Sequence, residues 1–116
     1  MDFLPEQHLL PLFKDEKALL LLQKQIAKDF AVSQIDFPES FGLEVFSLDN
    51  LQAIVQEKLV QIMAKGERQT LQLLYTIDLP EKKFLSILQN EHVAKSLCYL
   101  ILEREAQKIY FRLKFS

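Results

Sequence analysis

Breakers and crosslinkers are scarce in this chain: two glycines, four prolines and one cysteine among 116 residues. A single cysteine, Cys98, cannot close an internal disulfide, so no redox framework holds the chain together. The two glycines, Gly42 and Gly66, lie too far apart to form a glycine-rich phosphate loop. With few breakers, and with Leu, Gln, Lys, Glu and Ala abundant, long helices are favoured over many short strands. Histidine is equally sparse. His8, His92 and Cys98 are too few and too badly spaced for zinc, and no Glu-x-x-His occurs for a carboxylate-bridged metal pair. No cofactor and no metal are expected.

Surplus charge is missing too. The formal net charge is −2 and the sequence pI about 5.7, which gives no global drive toward phosphate backbones, so nucleic acid is not an expected partner. Apolar runs such as Ala18 to Leu22 fall far below the roughly 20 residues that cross a bilayer, and no membrane role is expected. The opening Met1-Asp2-Phe3-Leu4-Pro5-Glu6 has no positive region ahead of an apolar stretch and does not read as a signal peptide. A cytoplasmic protein is the expectation.

What the chain has in quantity is apolar side chains, 49% of residues, enough for the core of one domain spanning residues 1–116. The spacing predicts an all-α fold, a compact bundle of about five helices around a buried C-terminal helix. The pillar is placed at residues 91–115. Its centre, Leu97-Cys98-Tyr99-Leu100-Ile101-Leu102, is apolar without interruption, and six such residues cover every face of a helix.

Residues 1–13 carry Pro5 and Pro11 among Leu9, Leu10, Leu12 and Phe13, and read as an N-terminal arm docked on the bundle. His8, in that arm, reads as a solvated residue. Asp15 caps a helix running to about Val32. Leu19, Leu22, Ile26 and Phe30 form one stripe on it, Leu20, Ala27 and Ala31 a second, and Lys17, Lys24 and Lys28 the polar face. Leu21 points toward the lysines, as a lone exposed leucine or a contact in a homodimer. Residues 33–46 read as a Phe-rich loop with one helical turn, from which Phe37, Phe41 and Phe46 plug into the core.

Ser47 caps a helix through Lys65 with Leu51, Ile54, Val55, Leu59, Ile62 and Met63 on one face, and Gly66 ends it. A short helix from about Glu67 to Ile77 has little polar surface and should lie deep. Asp36-Phe37-Pro38-Glu39 and Asp78-Leu79-Pro80-Glu81 share capping-box chemistry. The second opens a helix with Phe84, Leu85, Ile87 and Leu88, and Asn90 ends it.

The last helix changes face. Val93, Leu97, Leu100 and Ile101 line its first half, whereas Leu102, Ala106, Ile109 and Leu113 line its second. The two halves must meet different neighbours, or the end must leave the bundle. A rival pattern exists: Lys108 to Phe115 alternates like a strand and could form a small hairpin with residues 41–46, giving an α+β fold.

Chemistry is thin. Cys98 in its apolar run reads as an inert buried thiol. Glu91 and Lys95 form an ordinary i,i+4 pair, Tyr75 and Asp78 are spaced to share a hydrogen bond, and no carboxylate pair is singled out by an apolar setting. Arg104, Lys108 and Arg112 put positive charge in a row at i,i+4 spacing. That row is a solvated face balanced by Glu105 or a neighbouring helix, or it docks an acidic partner segment. Without a catalytic constellation, a non-enzymatic role is favoured. Two functions are carried forward. One is a protein–protein interaction or adaptor module, self-associating or partner-binding, with Arg104, Lys108, Arg112 and Leu21 as its surface. The other is a small-molecule binder or minor enzyme with a pocket lined by Phe30, Phe37, Phe41 and Phe46.

Overall fold

A computed structural model describes residues 13–89 and 91–115. Of the N-terminal arm only Phe13 falls within it, and the readings for Pro5, His8, Pro11 and Asn90 lie outside the described residues. Among the described residues five α-helices follow in order: α1 Glu16–Ala31, α2 Leu48–Lys65, α3 Glu67–Ile77, α4 Glu81–Ile87 and α5 Val93–Phe115, with a 3-10 turn at Glu39–Gly42. The fold is an all-α bundle, and no strand occurs among the described residues. Residues 41–46 and 108–115 therefore do not form the hairpin of the rival reading. Glu103 to Lys108 is strongly helix-forming, and the helix it starts runs unbroken to Phe115. No helix among the described residues is long and apolar enough to cross a membrane.

The pillar is where the apolar run placed it. At 1.5 Å per residue α5 is roughly 34 Å long, close to the 37 Å longest extent of the molecule. It packs against α1, α2, α3 and α4. Leu97, Ile101, Leu102, Ala106 and Ile109 are fully buried along it. The two-faced pattern resolves in both of the expected ways. The first half meets α2, where Cys98 Sγ donates to the carbonyl of Gln52 at 3.5 Å. The second half meets α1 through Lys108 and Arg112. Beyond Ile109 the helix still runs beside α1, where Arg112 reaches Gln25, but residues 111–115 are all exposed.

Several local expectations need correction. The central run of α5 is not enclosed on every side, because Tyr99 is 41% exposed beside an open groove of about 520 Å³ that Ile87, His92 and Leu100 also line. The helix begins at Val93, two residues after Glu91, so Glu91 lies just ahead of its first turn. α3 is less deep than its composition suggests: Leu73, Leu74 and Ile77 are buried, but Tyr75 is half exposed.

Neither capping box forms. The N-cap positions of the 3-10 turn and of α4 are Pro38 and Pro80, which have no side-chain acceptor to offer. Asp78 instead closes α3 in the left-handed conformation, φ 70° and ψ 48°, and its backbone N–H donates to the Leu74 and Tyr75 carbonyls. Tyr75 consequently pairs not with Asp78 but with Glu81, its hydroxyl donating to Oε2 at 3.1 Å.

The caps read for α1 and α2 are present. Asp15 accepts from the Lys17 N–H at 3.0 Å, and Ser47 accepts from the Asn50 N–H at 3.2 Å. Gly66 turns α2 into α3 at φ +128°, a conformation that side chains rarely adopt.

The loop between α1 and α2 is anchored by a residue that the apolar stripes passed over. Gln23 of α1 is fully buried. Its Nε2 donates to the carbonyls of Phe41 at 2.8 Å and Glu44 at 2.7 Å, and its Oε1 accepts from the Phe46 N–H at 2.8 Å. One side-chain amide thus satisfies three backbone groups that no helix serves.

Candidate functional site

The aromatic residues proposed as a pocket meet one another. Phe30 and Phe41 are fully buried, while Phe37 and Phe46 pack half-buried against the core. Phe37 stacks on Phe41 at 4.4 Å between centroids, and edge contacts link Phe30 to Phe37 at 5.3 Å and Phe41 to Phe46 at 5.2 Å. Such contacts are packing interactions, which tie the loop to α1 together with Gln23. Leu21 is half-buried and packs against the core as well.

Cys98 is buried, and burial pushes its thiol up to about 12. At neutral pH almost none of it is thiolate, the form that reacts. A thiol-reactive reagent should therefore modify native protein at neutral pH at least tenfold more slowly than urea-unfolded protein. Equal rates would show that Cys98 is accessible.

The basic row on α5 is engaged within the molecule. Arg104 grips the end of α3, with Nη2 3.0 Å from Asp78 Oδ2 and Nε donating to the Asp78 carbonyl at 3.0 Å. Arg112 Nη2 donates to Gln25 Oε1 at 2.6 Å. Lys108 Nζ donates to Asp29 Oδ2 at 2.9 Å and stands 3.2 Å from Glu105 Oε1. Gln25 and Asp29 both belong to α1, so two of the three cations hold α1 to α5.

Beneath Lys108 lies the chemically unusual part of the protein. Glu105 is fully buried, and Asp29 is nearly so. Burial pushes the Glu105 carboxyl up to about 9, aided by its hydrogen bond to Asp29 and the Asp29 charge, with Lys108 opposing. For Asp29, burial acts upward, but hydrogen bonds from Glu105 and Lys108, the Lys108 charge and the Gln25 amide together hold it below its ordinary value. These shifts favour, at neutral pH, a neutral Glu105 beside an ionised Asp29, with Lys108 as the counter-charge. Two ionised carboxylates in this setting would leave one negative charge uncompensated, and Glu105 has no exposed surface from which water could solvate it.

The sequence reading found no such pair, yet a signal existed. On α5, Glu105 follows Ile101 and Leu102 by four and three residues and precedes Ile109 by four. On α1, Asp29 follows Ile26 by three and adjoins Phe30. Both acids stand on apolar stripes.

A second feature lies at the far end of the same seam. The start of α1 and the end of α5 frame an open groove of about 510 Å³, with Phe13, Ala18, Tyr110 and Leu113 as its apolar lining and Lys14, Asp15 and Lys114 at its margin. On this end of α5, Phe111 is 37% exposed, Leu113 53% and Phe115 70%. Phe115 stacks on Phe111 at 5.8 Å, and Lys114 lies over the Tyr110 ring at 5.5 Å. The chain matches no family model, no curated protein and no solved structure.

Proposed function

We propose that the protein is a helical interaction module that docks an acidic, apolar-striped segment of a partner protein on the end of α5 and the start of α1. The observation that carries the reading is the composition of the α5 end. Residues 111–115 are all exposed, three of them are large and apolar, and Arg112 and Lys114 alternate with them. Leu113 continues the core stripe beside the groove, Phe111 and Phe115 stack on another face of the same helix end, and apolar surface left exposed in this way is available for another chain to cover. Lys14 on the facing element adds positive charge beside the groove. Like charges on a two-fold pair of such ends would repel, so the charge pattern favours an acidic partner over a second copy. The acidic segment foreseen for the basic row thus finds a better match one to two turns further along, where the apolar residues are uncovered.

The test uses a synthetic amphipathic helix with a leucine stripe flanked by glutamates, titrated into isotope-labelled protein. Amide shifts should concentrate at residues 13–18 and 110–115, and binding should weaken with added salt. Phe111→Glu with Phe115→Glu should weaken it at least tenfold, or about 1.4 kcal/mol. Both side chains are exposed, so the fold should survive. Shifts spread elsewhere, or no binding, would overturn the reading. A concentration-dependent dimer in sedimentation that Phe115→Glu abolishes would assign the face to a second copy instead.

A further inference from the structure

We infer that the α1–α5 seam is a proton-dependent latch, in which the Glu105 carboxyl proton is shared with Asp29 and its loss separates the two helices. The geometry carries this. Glu105 has no exposed surface, and neither of its oxygens accepts a hydrogen bond from any amide or hydroxyl. Its polar surroundings are Asp29 from α1 and Lys108 from its own helix, whose Nζ lies between the two carboxyls at 2.9 and 3.2 Å. From the end of α3, Asp78 meets α5 at Arg104 instead. α2 meets this helix at Cys98, and among the described residues neither α2 nor α4 brings a charge to bear on Glu105.

One ammonium balances one carboxylate. With the proton in place, the seam holds one negative and one positive charge and a neutral donor. Once Glu105 ionises, the proton goes to solvent and two carboxylates confront a single lysine, with one of them fully buried. The nearest relief is for α1 and α5 to part and admit water. The Gln25–Arg112 contact lies on the same two helices, one turn farther toward the exposed α5 end, so the opening would loosen that end too.

The test is a carboxyl-carbon NMR titration of glutamate-labelled protein, with parent and Glu105→Gln compared. One glutamate carboxyl should titrate near pH 9, well apart from the others, and vanish in the variant. Nitroxide labels on Lys24→Cys and Lys114→Cys, both exposed positions, in a Cys98→Ala background should report a separation that lengthens through the same pH range with Glu105 present and stays constant with Glu105→Gln. If every glutamate carboxyl of the parent titrates in the ordinary acidic range, the shared proton does not exist. If the carboxyl titrates high but the label distance stays fixed, the proton is structural and the latch is overturned. The parent titration decides the first point even if the variant folds poorly.

Discussion

Replacing Gln23 with leucine should destabilise the protein by about 2–4 kcal/mol, although leucine is apolar and the site is dry. The side chain serves the carbonyls of Phe41 and Glu44 and the N–H of Phe46. Leucine would leave all three without that partner, and each buried backbone group left unmatched costs about 1–3 kcal/mol. Part of the loop can recover water, which keeps the total below the full sum, and added apolar burial offsets on the order of 1 kcal/mol of it. A glutamate should do no better. It can accept from Phe46 but would face two carbonyl oxygens with no proton to offer. The measurement is a urea midpoint for Gln23→Leu, Gln23→Glu and the parent, with the Phe46 amide shift as a local reporter. For a domain of this size the leucine variant should lose roughly 10 °C or more in Tm. A loss under about 1 kcal/mol would mean that the loop does not depend on this amide.

Gln23 also marks where sequence legibility ended. The helices were readable because their stops and starts are local: Asp15 and Ser47 accept from N–H groups two and three residues on, and Gly66 bends the chain where a side chain could not follow. Stripes such as Leu51, Val55, Leu59 and Ile62 need only their own spacing to be read, and all four are fully buried. The capping boxes failed because proline took the N-cap position, two residues beyond each aspartate. The polar core was hidden for a different reason. A buried amide or acid is stable only with partners in place, and those partners are remote in the chain: 18 to 23 residues away for Gln23, and 79 between Asp29 and Lys108. Read along one helix, Gln23 and Glu105 look like polar interruptions. Only the packing of α1 on α5 and on the loop shows what they satisfy. The same holds for the basic row, whose partners Gln25, Asp29 and Asp78 sit on other elements. The exposed end of α5 was half legible: the change of face predicted either different neighbours for the two halves or an exit from the bundle, and both occur, since Arg112 still meets Gln25 of α1 while Leu113 stays 53% exposed.

Glu105→Gln should stabilise the protein at neutral pH and flatten its stability between acid and alkali. The native state keeps the Glu105 proton up to about pH 9, whereas an unfolded glutamate releases it near 4.5. Between those values the folded protein binds more protons than the unfolded chain, so stability falls as pH rises, by up to about 1.4 kcal/mol per unit. The loss is complete above about pH 9 and absent below about pH 4.5. Glutamine keeps the shape and still offers an N–H to Asp29, but has no proton to lose. The variant should therefore gain about 2–3 kcal/mol at pH 7, nothing near pH 4, and most in alkali. Asp29 bends the acid side in the opposite direction. Its carboxyl is held below the ordinary 3.8, so the stability it adds is present above that value and is lost as pH falls through its lower folded value. Asp29→Asn should thus lose stability at neutral pH, because Lys108 is left without its carboxylate, and should bring the Glu105 titration down by removing the neighbouring charge. Denaturant midpoints for parent, Glu105→Gln and Asp29→Asn from pH 4 to pH 10 decide the matter. Parallel curves for parent and Glu105→Gln would show that Glu105 is ionised in the native seam, and a neutral-pH loss on Glu105→Gln would show that its charge, not its proton, holds α1 to α5.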